Sequence, residues 1–377
     1  MIKFPLNEPN VSDLEEKYAL EVLRSGWLSA GGEHTSKFEE LIAEYLNIKY
    51  AVAVQSGTAA LHLALKAAGV TSGDNVILPN YSCGASISAV SQCGAKPIVL
   101  DIEMETYGLD VKYVRSAIEK FKPKALQLVH VYGFPARDTL EIKALCDQYN
   151  VLLVEDASEA LGATLKEKKI GSFGDIATFS IRSEKMIGVG EGGIVVTNDS
   201  SLNDKILKLA SRSAPFRTSN SPYWEKYFYD GEGYNYRLPH ILGALAHAQI
   251  ERFPELLKEK IRVGLKFREV FSKNKNWDLQ KINNDSSPVF WLNTILFKNI
   301  DKNIIRDLGL HLMESGIEVR SGFWPLSDME AFSSEAYGMQ SNGHHLYDNL
   351  LVLPSAMSLT EEDIEYIYQE ICNFLKI

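Results

Sequence analysis

Between Tyr50 and Ser180 the chain alternates short, β-branched apolar runs with stretches of helical periodicity, and few architectures accept that order. "YAVAVQ", "NVILPN", "KPIVLDI", "KALQLVHVYG", "VLLVEDAS" and "DIATFSI" read as strands. Between them, "TAALHLALKAAG", "GASISAVSQCG" and "DTLEIKALCDQYN" read as helices; in the first, Ala60, Leu61, Ala64, Leu65 and Ala68 share one face. Strands that are apolar along their whole length leave no face for water, so they must be covered on both sides. The pattern predicts an α/β fold with a mostly parallel sheet between helical layers. Ahead of it, "EEKYALEVLRSG" and "TSKFEELIAEYLN" predict two amphipathic helices joined by "WLSAGGEH". Beyond it, "EGYNYRLPHILGALAHAQIERFPELLKEKIRVGLKFREVF" reads as one long helical stretch. The remainder mixes short strands ("FWLNTILFK", "GIEVRSGF") with terminal helices ("EEDIEYIYQEICNFL"). The expected division is a large domain over 1–250, including the N-terminal helical segment, and a small α+β domain over 251–377.

A net charge of −10 argues against nucleic acid or an anionic membrane as partner. An anionic ligand would need local arginines or backbone amides. Cys83, Cys93, Cys146 and Cys372 show neither a C-x-x-C pair nor regular spacing, which fits a reducing compartment and no metal site. The opening "MIKFPLNEPNVSDLEEK" turns acidic without an apolar core, and no window approaches the roughly 20 apolar residues of a membrane span. The expected location is the cytoplasm.

The segment "SIRSEKMIGVGEGGIVVTND" offers glycines that resemble a dinucleotide fingerprint. That fingerprint must follow a strand and open a helix, so that pyrophosphate meets free amides. Here the glycines precede "IVVTND", a strand and a turn, and a nicotinamide oxidoreductase is excluded on context. Three other positions fit one chemistry. In "QSGTAALHLAL" a strand end, then Ser56, Gly57 and Thr58, then a helix could cradle a phosphate; the plainer reading is a helix cap. Asp156, at the C-terminal end of "VLLVED", could hold a protonated pyridine nitrogen, or could cap a turn. Lys185 follows the strand "DIATFSI" on the same rim and could form an imine, or could be a solvated lysine. Together they are the three handles of pyridoxal 5′-phosphate (PLP).

"QSGTAALHLAL", "VEDASEALGA", "GSFGDIATFSI", Lys185, "GEGGIVVTND" and "GYNYR" together resemble the DegT/DnrJ/StrS family of PLP-dependent sugar aminotransferases. The resemblance runs from "SGWLSAGGEHTSKFEE" to "LPSAMSLTEEDIEYI", nearly the whole chain. It implies the aspartate aminotransferase fold (fold type I) and a homodimer whose active sites are shared between subunits. It implies Lys185 as the Schiff-base lysine, Gly57 and Thr58 at the PLP phosphate with Ser180 adding a hydroxyl, and Asp156 at the pyridine nitrogen. Glu159 would lie near the ring hydroxyl and Lys185, and Asn235 would reach the phosphate of the partner subunit's cofactor. Trp27 and Ser29 would border the substrate.

Two positions depart from the family pattern. Where relatives stack an aromatic residue on the PLP ring, this chain has Cys83; either the thiol packs there or Tyr81 substitutes. In "IRSEK", Arg182 is expected at an anionic group of the substrate, with a solvent-facing role as the alternative. Arg212 and Arg217 add positive charge in a region that borders the substrate in relatives. The implied reaction moves an amino group from L-glutamate to a keto or aldehyde sugar, for an amino sugar of surface polysaccharide such as lipopolysaccharide. The acceptor would be a nucleotide-linked 4-keto-6-deoxyhexose or a carboxylated sugar such as an 8-oxo 3-deoxyoctulosonate. The rivals are a sugar dehydratase of the same fold, whose members carry histidine in place of the lysine, and a non-catalytic regulatory protein.

Overall fold

A computed structural model describes residues 2–214, 229–332 and 334–377. Its main sheet has eight strands in the order Tyr50–Val54, Gly193–Thr197, Ile176–Ser180, Leu152–Asp156, Ala125–Val129, Asn75–Pro79, Lys96–Leu100 and Glu335–Tyr337. Gly193–Thr197 runs antiparallel to both neighbours, while the other pairings are parallel. The exception follows from chain length. A parallel return needs a crossover of a dozen or more residues, usually through a helix. The glycine-rich link from Ser180 to Gly193 has no helix, so the chain folds straight back.

The sheet is covered on both faces, as full apolarity requires. Val52, Val54, Val76, Val154, Ile176 and Val195 pack with the helices Gly57–Ala67, Gly84–Gln92 and Ser200–Ala210. Their neighbours in the strands, Ala53, Ala177, Phe179, Ile194 and Val196, pack with Phe38, Ile42 and Leu46 of helix Glu33–Leu46 and with Ala246 and Ile250. Helix Gly57–Ala67 is buried nearly all round, from Ala59 to Leu65 without a break.

The long helical stretch is two helices, His240–Glu251 and Phe253–Phe271, broken at Arg252 (φ −90°, ψ 0°). Pro254 is the cause: it has no N–H to donate back, and its ring excludes the carbonyl of the preceding turn. The start of that stretch is extended rather than helical, with Arg237 bridged to Val54 at the sheet edge. Beyond it, an antiparallel sheet orders Trp277–Asp278, Asn293–Phe297, Leu350–Leu353 and Arg320–Ser321 over a core with Phe267, Phe271, Leu312 and Ile371. The N-terminal residues join this core, where Phe4 bridges Ile317 and the Leu6 amide donates to Glu318 at 2.8 Å. Glu335–Tyr337 returns to extend the main sheet beside Lys96–Leu100. No helix among the described residues is long and apolar enough to cross a membrane.

Candidate active site

The parallel strands end on one rim, where ligands of open α/β sheets bind. Asp156 is the last residue of its strand and Ser180 the last of the next. The fold-back between Ser180 and Gly193 holds Lys185 over that rim. On the opposite face Glu155 anchors the approach, accepting the amides of Gly171, Phe173 and Gly174 and pairing with buried His130.

Asp156 is 5% exposed. Its carboxylate accepts from Ser86 Oγ and from the Ser158 amide, each at 3.2 Å. Glu159 lies beside it, accepting the Tyr132 amide at 2.8 Å and facing Lys185 Nζ at 3.4 Å. Burial pushes the Glu159 carboxyl above its ordinary value, opposed by Lys185 and the Tyr132 amide. Lys185 Nζ also sits over the Trp291 ring, 3.3 Å from its centroid.

Where Ser56, Gly57 and Thr58 open the helix, the cap is made by a side chain and the first backbone amides stay free of it. Ser56 Oγ caps the helix by accepting the Ala59 amide at 3.1 Å. The amides of Gly57 and Thr58, first in the helix, have no carbonyl of their own helix within reach. A Cβ at Gly57 would lie 2.9 Å from Ser180 Cβ, so the glycine lets the helix start approach the strand end. Gly193 is needed for the same close packing, since its Cβ would fall 2.4 Å from the Ser56 carbonyl oxygen. The "GEGG" turn therefore seats the antiparallel strand against the cradle.

These residues fit PLP. They supply a buried carboxylate for a ring nitrogen, a lysine amine within reach of a second carboxylate, and paired helix amides beside a hydroxyl for a phosphate. Cys83, exposed at the N-terminus of helix Gly84–Gln92, lies within range of the charges of Glu159, Lys185 and Asp156. Tyr81 cannot substitute for it. Its side chain is fully buried, its hydroxyl bonds Tyr132 Oη at 2.9 Å, and Tyr107, Tyr132 and Phe323 meet its ring edge to face.

The remaining expected residues lie farther out. Trp27 is 53% exposed, with its indole N–H donated to the Gly31 carbonyl at 2.6 Å. Its loop, with exposed Ser29, is tied to the Asn235 side of the molecule by the His240 amide on the Leu28 carbonyl. Neither Trp27 nor Ser29 is brought to Lys185 by these contacts. Asn235 is exposed, its backbone bridged to Ser211. Arg182 is half exposed and engaged by Glu184 at 3.2 Å and Glu191 at 3.7 Å. Arg217 lies outside the described residues.

Sequence reasoning missed Tyr132, Trp291, Asn7 and Ser86. Tyr132 adopts φ 56°, which turns its amide onto Glu159, and Gly133 follows at φ 89°. The "YG" pair in "VYGFP" was the available signal. Asn7 and Trp291 both donate to the Glu184 carbonyl, at 2.6 Å each, and fix the peptide that precedes Lys185.

The chain matches the DegT/DnrJ/EryC1/StrS aminotransferase family over residues 9–372. It is 36% identical to GDP-perosamine synthase of Escherichia coli O157:H7 over 373 residues, covering 98% of each chain. It is 34% identical to that of Vibrio cholerae over 377 residues, covering 99% of this chain and 98% of the relative. Among solved structures, Helicobacter pylori PseC, an aminotransferase of pseudoaminic acid biosynthesis, superposes with a TM-score of 0.89 at 24% identity, covering 99% of both chains. A GDP-4-keto-6-deoxymannose-3-dehydratase superposes at 0.90 and 24% identity, covering 98% of this chain and 100% of that one. With the lysine, the carboxylate and the cradle on one rim, the chain belongs to the DegT/DnrJ/EryC1/StrS aminotransferase family and is a PLP-dependent sugar aminotransferase.

Proposed function

We propose that the acceptor is a GDP-linked 4-keto-6-deoxyhexose and the amino donor L-glutamate. Full-length similarity to GDP-perosamine synthases is the observation that carries the acceptor. The carboxylated-sugar alternative leaned on Arg182, Arg212 and Arg217; of these, Arg182 pairs with Glu184 and Glu191, and Arg217 lies outside the described residues. The dehydratase reading is not favoured: likeness to that enzyme is one of fold, and lysine stands at position 185.

PLP, when bound, supplies an electron sink for the carbanion left when a donor loses its α-proton. The chain's residues set the conditions for that chemistry. Asp156 would hold a proton at the ring nitrogen from its buried position. The Gly57 and Thr58 amides and Ser180 Oγ would hold the phosphate. Lys185 moves the proton at the donor's α-carbon, and Glu159 holds its amine ready. Cys83 stands where relatives place an aromatic ring. The working unit in this reading is a homodimer in which exposed Asn235 serves the partner's phosphate site.

Purified protein supplied with PLP and glutamate is offered each acceptor in turn, and 2-oxoglutarate release is followed. Release matched by amino-sugar formation with the GDP-linked ketosugar supports the proposal. Turnover of the eight-carbon oxo acid instead would overturn it. Borohydride reduction and peptide mapping test the lysine separately, and label on any lysine other than Lys185 would sink that assignment.

A further inference from the structure

We infer that Trp291 is a positioning residue for Lys185, holding both its ammonium and its backbone. The inference rests on the reading of Lys185 as the reacting amine. Four contacts close a ring. Lys185 Nζ lies 3.3 Å from the centroid of the Trp291 ring and 3.4 Å from Glu159 Oε1. Glu159 Oε2 accepts the Tyr132 amide, and the Tyr132 ring stacks toward Trp291 with centroids 6.5 Å apart at 28°. The Trp291 indole N–H donates at 2.6 Å to the carbonyl of Glu184, the residue before the lysine.

The arrangement has a chemical consequence. An indole face attracts a cation and offers nothing to a neutral amine. Trp291, only 6% exposed, therefore favours the ammonium of a lysine that Glu159 already attracts. Whenever the amine is not covalently engaged, it has a fixed resting place beside the rim. The second hold is on the chain itself. Glu184 O receives Trp291 from one side and Asn7 from the other, and Asn7 Oδ1 accepts from buried Lys260 at 3.3 Å. The lysine's loop is thus pinned at Glu184 by residues far from it in sequence.

Two substitutions separate the holds. Trp291→Phe keeps an aromatic face but loses the N–H to Glu184; Trp291→Leu loses both and leaves a gap of similar size. The readout is the rate at which trinitrobenzenesulfonate modifies Lys185 in the full-length protein after its cofactor has been removed, mapped by peptide at one fixed pH. An amine released from the ring face is freer to react, so the rate should rise by roughly 3- to 10-fold for Trp291→Leu. Trp291→Phe should stay within about twofold of wild type by the same reasoning. Both variants should exchange the backbone amides of residues 182–188 faster, because the Glu184 carbonyl has lost a partner. If Leu, Phe and wild type share one modification rate and one exchange pattern, the inference fails. If Trp291→Leu does not fold, unchanged exchange in Trp291→Phe is enough to overturn it. Failure of borohydride to label Lys185 with PLP present would instead defeat the reading of Lys185 as the reacting amine.

Discussion

Replacing Gly133 with alanine tests whether the turn beneath Glu159 and Trp291 is as tightly specified as it looks. Gly133 has φ +89°, and a Cβ there would lie 2.8 Å from the Trp291 amide nitrogen, 2.8 Å from Val289 Cγ2 and 3.0 Å from the Glu159 carbonyl oxygen. Two of these neighbours are backbone, and Val289 is further tied to the turn by its amide on the Gly133 carbonyl. None can step aside cheaply. A left-handed backbone costs an L-residue about 1–2 kcal/mol, and overpacking adds about 1–3 kcal/mol. A stiffer unfolded chain gives back about 0.4–1 kcal/mol. The expected net loss is about 2–4 kcal/mol. Gly190 supplies the control, with φ +103° and nothing within 4 Å of its Cβ position. Gly190→Ala should show the backbone cost alone, about 1 kcal/mol after the same offset. In urea unfolding followed by tryptophan fluorescence, the Gly133→Ala midpoint should fall by roughly 1 M, and by clearly more than the control's. Equal shifts in the two variants would refute the packing argument and leave only strain.

Three further outcomes follow from the site and its surroundings. Asp156→Asn should still bind PLP but lose single-turnover reaction with glutamate by about a hundredfold or more, because the ring nitrogen loses its anion; a near-normal rate would mean that Asp156 only caps a turn. Mixing Lys185→Ala with Asn235→Ala subunits, each inactive alone, should restore about a quarter of wild-type activity, since half the dimers become hybrids with one intact site; no recovery, with exchange confirmed by distinct tags, defeats the shared site. Lys260 is buried against the Ser355 carbonyl and Asn7, and burial pulls its amine down to about 7. The unfolded chain keeps that proton to about pH 10, so folding releases it and wild-type stability should rise between about pH 7 and 10. Lys260→Met should flatten the rise in urea midpoint across that window, with its advantage over wild type greatest at the acid end. Parallel midpoints across the window would show that Lys260 folds with its proton.

What the sequence determined alone is what local pattern can encode. Apolar β-branched runs alternating with helical periods leave no solvent face, so the covered parallel sheet followed from composition along short windows. Asp156 and Lys185 were legible because each ends or follows such a run, and strand ends share a rim. The "GEGG" context was enough to reject a dinucleotide site, and its last glycine is explained by Gly193 lying against Ser56. Pro254 stood in the long helical stretch, but apolar periodicity outweighed it in the reading; the backbone break at Arg252 did not yield. The tertiary structure decided the rest, for one reason: contacts between distant segments carry no local signal. Trp291 reads as a strand residue until it is found beneath Lys185, 106 positions back. Tyr81 was as near to the rim as Cys83 by count, and only its burial among Tyr107, Tyr132 and Phe323 removes it. Arg182 had only its near neighbour Glu184 as a partner in sequence, and the fold adds Glu191 from across the turn. Asn7 and Glu335–Tyr337 come from opposite ends of the chain, one pinning the lysine's loop and the other closing the sheet edge. A pattern of hydrophobicity can specify which face is buried, but which residue lies across from it depends on how the whole chain packs.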